Sequence, residues 1–137
     1  MSYWLLKTEP ESFSYDDLVR FGRERWNGVR NYRALKNMRQ IHPGDQAFIY
    51  HTGKEKAIVG VGQVVSEPYP DPDETDSRYI VIDVAPGYRL NRPVTLKEIK
   101  ADPTFHEWAL VTQPRLSVMP VTPEHWARVH AMAAINY

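Results

Sequence analysis

The chain has 137 residues, 42% hydrophobic and 25% charged, with no cysteine and a formal net charge of +0. That length suits one domain spanning residues 1–137 with an apolar core of its own, and two full domains do not fit. The composition excludes disulfide frameworks, thiolate metal sites and a protein that coats nucleic acid by bulk charge. The opening MSYWLLKTEPESF lacks a basic leader, and no stretch approaches the ~18 apolar residues of a membrane span, so a cytoplasmic protein without a membrane partner is expected.

Residues 3–7 (YWLLK) are apolar and β-prone and read as a buried first strand, closed by Pro10. Ser14-Tyr-Asp-Asp17 has the form of a capping box, followed by Leu18, Phe21 and a Gly22 stop, which predicts a helix. A second helix is expected from Tyr32 to Gln40 on the spacing of Leu35 and Met38. Pro43-Gly44-Asp45 forms a turn into the strand AFIYHT, and AIVGVGQVV returns as its hairpin partner. Gly60 and Gly62 fall on one face of that strand, leaving it bare for another backbone or a ligand. YIVIDV is a further buried strand, and Thr95-x-x-Glu98 opens a short helix that Asp102-Pro103 ends. RLSVMPV is a late strand, and Thr122-Pro123-Glu124 starts a final helix carrying Trp126, Val129 and Ala133. Helices inserted without strict βα alternation favour an α+β fold around a small, mostly antiparallel barrel or curled sheet.

Charge is unevenly placed. From residue 20 to 39 the cations are Arg20, Arg23, Arg25, Arg30, Arg33, Lys36 and Arg39, against the single acid Glu24. From 66 to 76 the order reverses, with Glu67, Asp71, Asp73, Glu74 and Asp76. The first run is either a solvated helix face or an anion-binding patch, and its preference for arginine, whose planar fork suits phosphates and base edges, favours the patch.

Catalytic templates are absent: there is no nucleophile elbow, phosphate-binding loop, dinucleotide fingerprint or zinc-protease motif. The histidines lack a spacing that suits a metal, and no cofactor is indicated. Lys7 and Glu9 share a face at the end of the first strand, where they form either an ordinary ion pair or an acid–base couple. The stretch Trp26-Asn-Gly-Val-Arg-Asn-Tyr32 is the most informative. It holds a flat indole, a tight Asn-Gly turn, an amide able to read a heterocycle edge and flanking arginines. Spacing alone does not separate that reading from one in which Trp26 and Tyr32 are packing residues.

The order of YWLLKTEP, WNGVRNYRA, GDQAFIYHT, AIVGVGQVV, YPDP, RPVTLKEIK and RLSVMPVTPEHW resembles the EVE-domain family over essentially the whole chain. The resemblance implies a PUA-like barrel with peripheral helices, related to YTH and ASCH domains. It also implies recognition of modified bases in DNA or RNA, with no established catalytic step. It places a ligand pocket at Lys7, Thr8, Trp26, Gly28, Val29, Arg30, Asn31, Tyr32, Tyr50, His51, Thr52 and Ser117, and backbone contacts at Arg25, Arg30, Arg33 and Arg39. The sequence departs from the family at Leu35 and Lys36, and at Trp108 and Pro114, where Met and Ser are commoner; the latter change falls on the expected far wall of the pocket. The expected function is a non-enzymatic reader of a methylated or 5-substituted base. The competing expectation is an ASCH-like hydrolase of a modified nucleoside, with Lys7 as base, Thr8 as orienter and Glu9 as proton carrier.

Overall fold

The first strand, β1 (Tyr3–Thr8), runs parallel to β3 (Gln46–His51) on one side and antiparallel to β7 (Val118–Val121) on the other. This is seen in a computed structural model of the chain that describes residues 1–134. Trp4, Leu5 and Leu6 are all buried, as a strand covered on both faces requires. The parallel pairing needs a crossover, and residues 9–45 supply it with α1 (Tyr15–Phe21), β2 (Glu24–Trp26) and α2 (Tyr32–Met38). β4 (Ala57–Val64) forms the expected hairpin with β3, and β6 (Ile80–Thr95) continues the sheet. The strand order is β2-β6-β4-β3-β1-β7, with β5 (Tyr69–Pro70) pairing with β6 off this path.

The fold is α+β, a curled mixed sheet forming a half-barrel of the PUA-like kind with helices around it. It is mostly antiparallel, the pairing of β1 with β3 being the parallel exception among the described strands. Curvature enters along β4 and β6, whose register shifts between Ile58 and Gly60 and again between Val61 and Gly62. β6 runs well past Val84, where the sequence suggests an end. Pro86 and Gly87 are accommodated at the second irregularity, and a Cβ on Gly87 would sit 2.7 Å from the Val61 carbonyl oxygen, so the strands approach too closely for a side chain.

Gly60 and Gly62 do clear space, but the protein fills it itself. A Cβ on Gly60 would lie 2.6 Å from the Tyr15 ring, and one on Gly62 would lie 2.7 Å from a Val84 methyl. Tyr15 also donates its hydroxyl to the Val61 carbonyl at 2.9 Å, which pins α1 across the sheet. β7 begins only at Val118, because Arg115 and Leu116 belong to the preceding turn. The remaining helices are α3 (Leu96–Ala101), a 3-10 turn at Pro103–Phe105, α4 (Ala109–Thr112) and α5 (Pro123–Ala133). Capping boxes at Ser14 and Thr95 form as read from the sequence. No described helix is long and apolar enough to cross a membrane.

Candidate nucleic-acid interface

Where β1 ends, a cleft of about 430 Å³ opens between Lys7-Thr8 and the Trp26-Asn27-Gly28 turn. Trp26 is only 7% exposed, held at the end of β2 opposite Ile82, with Phe13 edge-on to it at 6.1 Å between ring centres. The indole is therefore a wall of the cleft rather than a free platform. Its N–H makes no hydrogen bond among the described residues, whereas those of Trp4 and Trp108 donate to Asp45 and to the Pro120 carbonyl. The one fully buried side-chain N or O atom lacking a partner there is His125 Nδ1, so the Trp26 donor opens to solvent.

Lys7 forms the opposite side. Its backbone N–H donates to the Ser117 carbonyl at 3.0 Å, and its ammonium donates to the Pro114 carbonyl at 2.9 Å. The ammonium also lies 5.6 Å from the centre of the buried Tyr50 ring, which backs the site. No carboxylate pairs with it among the described residues, so the ion pair with Glu9 read from the sequence is not formed. Burial pushes the Lys7 ammonium below its ordinary value. The Thr8 hydroxyl donates to the Phe13 carbonyl at 2.6 Å and keeps its lone pairs as acceptors.

The loop from Asn27 to Asn31 arches to a second cleft of about 590 Å³, between the start of α2 and Gln113–Leu116. Gly28 adopts φ 77, as the Asn-Gly turn requires, and Val29 tucks into the core to anchor the arch. The Asn31 side-chain oxygen Oδ1 caps α2 by accepting from Ala34 N–H at 3.0 Å, leaving the side-chain amide N–H groups as donors. Tyr32 is 79% exposed and presents the open aromatic face that Trp26 does not. Pro114 lines the second cleft while bonding to Lys7 in the first, so the lysine joins the two.

The two opposed charge runs meet in space. Arg25 pairs with Asp73 at 3.1 Å, Arg23 with Asp83 at 2.8 Å, and Arg30 with Glu74 while lying 4.3 Å above the Tyr79 ring. Arg33 and Arg39 bond neutral groups, the Gln113 side chain and the Arg78 carbonyl. Of the strand residues, His51 is buried, accepts from Tyr15 N–H at 3.0 Å and contacts Glu55 at 2.8 Å through its other ring nitrogen. Thr52 bonds the Thr8 carbonyl through both its N–H and its hydroxyl. Tyr50, His51 and Thr52 thus hold the strand end from behind, and Ser117 meets Lys7 through its main chain. Phe13 and Asn27, which the sequence does not point to, line the first cleft, and Pro114, expected on the far wall, meets Lys7 through its carbonyl. Phe13 precedes the α1 cap, a position that commonly carries a packing residue, but nothing local links Pro114 to Lys7.

The sequence profile of the EVE domain matches residues 2–132. The chain belongs to the EVE-domain family. Thymocyte nuclear protein 1 from Mus musculus is 33% identical to this EVE domain, over 91% of the chain and 70% of the relative. The NMR structure of Rpa0253 from Rhodopseudomonas palustris is 39% identical with a TM-score of 0.93, covering 100% of this chain and 97% of that one. Human THYN1, solved in complex with DNA containing 5-methylcytosine, is 30% identical with a TM-score of 0.91, each chain covered fully. An ASCH protein from Zymomonas mobilis is 12% identical with a TM-score of 0.61, a likeness of fold alone.

Proposed function

We propose that this EVE domain, spanning residues 1–137, is a non-enzymatic nucleic-acid-binding module that takes a modified base into the cleft between Lys7 and Trp26. The carrying observation is the cleft itself: Trp26, whose indole N–H makes no hydrogen bond among the described residues, lines it, and so does Lys7, whose ammonium has no carboxylate partner among them. The human relative in complex with 5-methylcytosine DNA supports the same reading. Thr8 is the polar reader in that cleft, and at the second cleft the Asn31 amide and exposed Tyr32 meet a neighbouring base.

Stacking on an aromatic ring contributes ~1–3 kcal/mol per base, while flipping a base out of a duplex costs a few kcal/mol. The binding is therefore modest and favours unpaired or easily flipped bases. One buried methyl adds ~0.8 kcal/mol, about a fourfold preference, so a modification carrying a hydrogen-bonding group is discriminated more sharply. The hydrolase reading has less support, because the Thr8 hydroxyl is engaged by the Phe13 carbonyl and Lys7 donates to the Pro114 carbonyl and forms no ion pair with Glu9 among the described residues.

The test is fluorescence anisotropy with single-stranded DNA and RNA carrying cytosine, 5-methylcytosine, 5-hydroxymethylcytosine or N6-methyladenine. Tighter binding of one modified strand, with the preference lost in Trp26→Phe, supports the reading. Equal affinity for all strands contradicts it.

A further inference from the structure

A second surface carries the cations that the arginine run lacks. In sequence, Lys54-Glu55-Lys56 and Lys97-Glu98-Ile99-Lys100 look charge-mixed. In the structure both glutamates are engaged by side chains of the fold. Glu55 contacts His51 Nδ1 at 2.8 Å, and Glu98 accepts from the Arg92 guanidinium at 2.7 and 3.0 Å while completing the Thr95 capping box. The four lysines are exposed, and none of their ammonium groups makes an ion pair or hydrogen bond among the described residues. They surround one cleft of about 500 Å³ between the β3–β4 turn and α3, floored by Leu96. Lys97 and Lys100, three apart, share a helix face, and Leu96 N–H bonds the Lys56 carbonyl at 2.8 Å, which fixes the turn against the helix.

The strand end behind the base site leads into this cleft. Thr52 N–H donates to the Thr8 carbonyl at 2.9 Å, and Lys54 lies two residues beyond Thr52, within about 7 Å of chain. On the other flank of the base site, by contrast, Arg25 and Arg30 already face Asp73 and Glu74. A strand whose base enters beside Lys7 therefore meets unneutralised positive charge where it passes toward the β3–β4 turn and α3.

We infer that the cleft lined by Lys54, Lys56, Lys97 and Lys100 binds the phosphodiester backbone of the strand whose base occupies the Lys7–Trp26 cleft. The inference rests on the base-binding reading for the strand's position, and on charge and geometry for the lysines themselves. Each phosphate neutralised on a single strand releases counterion and contributes ~0.7 to the slope of log affinity against log salt concentration.

The experiment measures that slope for the wild type and for Lys54→Gln/Lys56→Gln/Lys97→Gln/Lys100→Gln, with single-stranded DNA bearing one 5-methylcytosine and with its unmodified counterpart. The expected result is a slope smaller by about 2–3 and a loss on the order of a hundredfold at low salt, equal for both strands. The corresponding lysine-to-arginine variant should restore the slope, and unchanged thermal unfolding in both variants should exclude misfolding. A wild type that binds both strands equally, with the slope still lysine-dependent, supports the backbone site while contradicting the base site. An unchanged slope in the glutamine variant, with base preference intact, overturns the backbone site alone. Absence of DNA binding in the wild type, or lysine-dependent binding to phosphatidylserine vesicles without DNA binding, overturns it as well.

Discussion

The Lys7 ammonium donates to the Pro114 carbonyl across 107 positions of sequence, at 2.9 Å. That bond ties the end of β1 to the turn before β7 and sets the boundary between two clefts, one beside Trp26 and one beside Tyr32. It also directs a cation with no acidic partner among the described residues toward both.

Replacing Lys7 by Met keeps the stem and removes the charge. Binding to any oligonucleotide should weaken about tenfold at low salt, and the salt slope should fall by ~0.7, one phosphate's worth on a single strand. Stability should change little, because the carbonyl left behind reaches solvent. Because burial lowers the Lys7 value, the cation is lost at lower pH than for an ordinary lysine. The wild-type salt slope should accordingly decline as pH rises into the alkaline range, while the Met variant shows no such decline from this site. Anisotropy titrations at several salt and pH values check both expectations.

The acidic loop acts on the same strand with the opposite sign. Asp73 and Glu74 occupy Arg25 and Arg30, so Asp73→Asn/Glu74→Gln should free two guanidiniums for phosphates. Affinity at low salt should rise severalfold to tenfold and the slope by up to about 1.4, equally for modified and unmodified strands. Ion pairs this exposed add little to folding, so the unfolding midpoint should barely move.

Gly60 is set by packing rather than by a ligand. A Cβ there would overlap the Tyr15 ring, whose hydroxyl is fixed on Val61, so the ring cannot retreat without losing that bond. Gly60→Ala should destabilise the protein by about 1–3 kcal/mol in urea unfolding. The paired variant Gly60→Ala/Tyr15→Leu should recover part of the loss.

Much of this fold is legible in the sequence because the signals are local. Ser14 and Thr95 announce their helices by capping boxes, Gly22 stops α1, and the β3–β4 hairpin follows from Pro43-Gly44-Asp45 and Gly53. β2 is less visible, being three residues long, and β6 hides its length because Pro86 and Gly87 look like breakers when their irregular pairing with β4 is unseen. In the candidate site, the Trp26–Tyr32 loop stands out by composition, but the division of labour inside it does not. Whether Trp26 or Tyr32 is exposed depends on Ile82 and Phe13, and whether the arginines are free depends on a loop more than 40 residues away. Pairing across that separation leaves no trace in either segment.

Glu98 gives the fold a specific acid sensitivity. The Arg92 guanidinium beside it, together with the Thr95 N–H and hydroxyl, holds its carboxyl down to about 2 against the energetic cost of burial. Its folded value lies below its unfolded one, so its contribution is complete above about pH 4.5 and is lost progressively as pH falls toward about 2. Glu98→Gln should cost about 1 kcal/mol at pH 7, after allowance for solvent screening of a partly exposed pair. That gap between variant and wild type should narrow below pH 4.5 in chemical unfolding curves recorded at pH 7, 4 and 3.

The chain contains four tryptophans, which makes one measurement especially direct. In a proton–nitrogen correlation spectrum each indole N–H gives its own signal, with Trp4 and Trp108 bonded within the fold as internal controls. On titration with a single-stranded oligonucleotide carrying one 5-methylcytosine, the Trp26 indole and the backbone amides of Thr8, Asn27 and Gly28 should shift and saturate together, at lower concentration than with the unmodified strand. Saturable binding that leaves the Trp26 indole and those three amides unmoved would contradict the account.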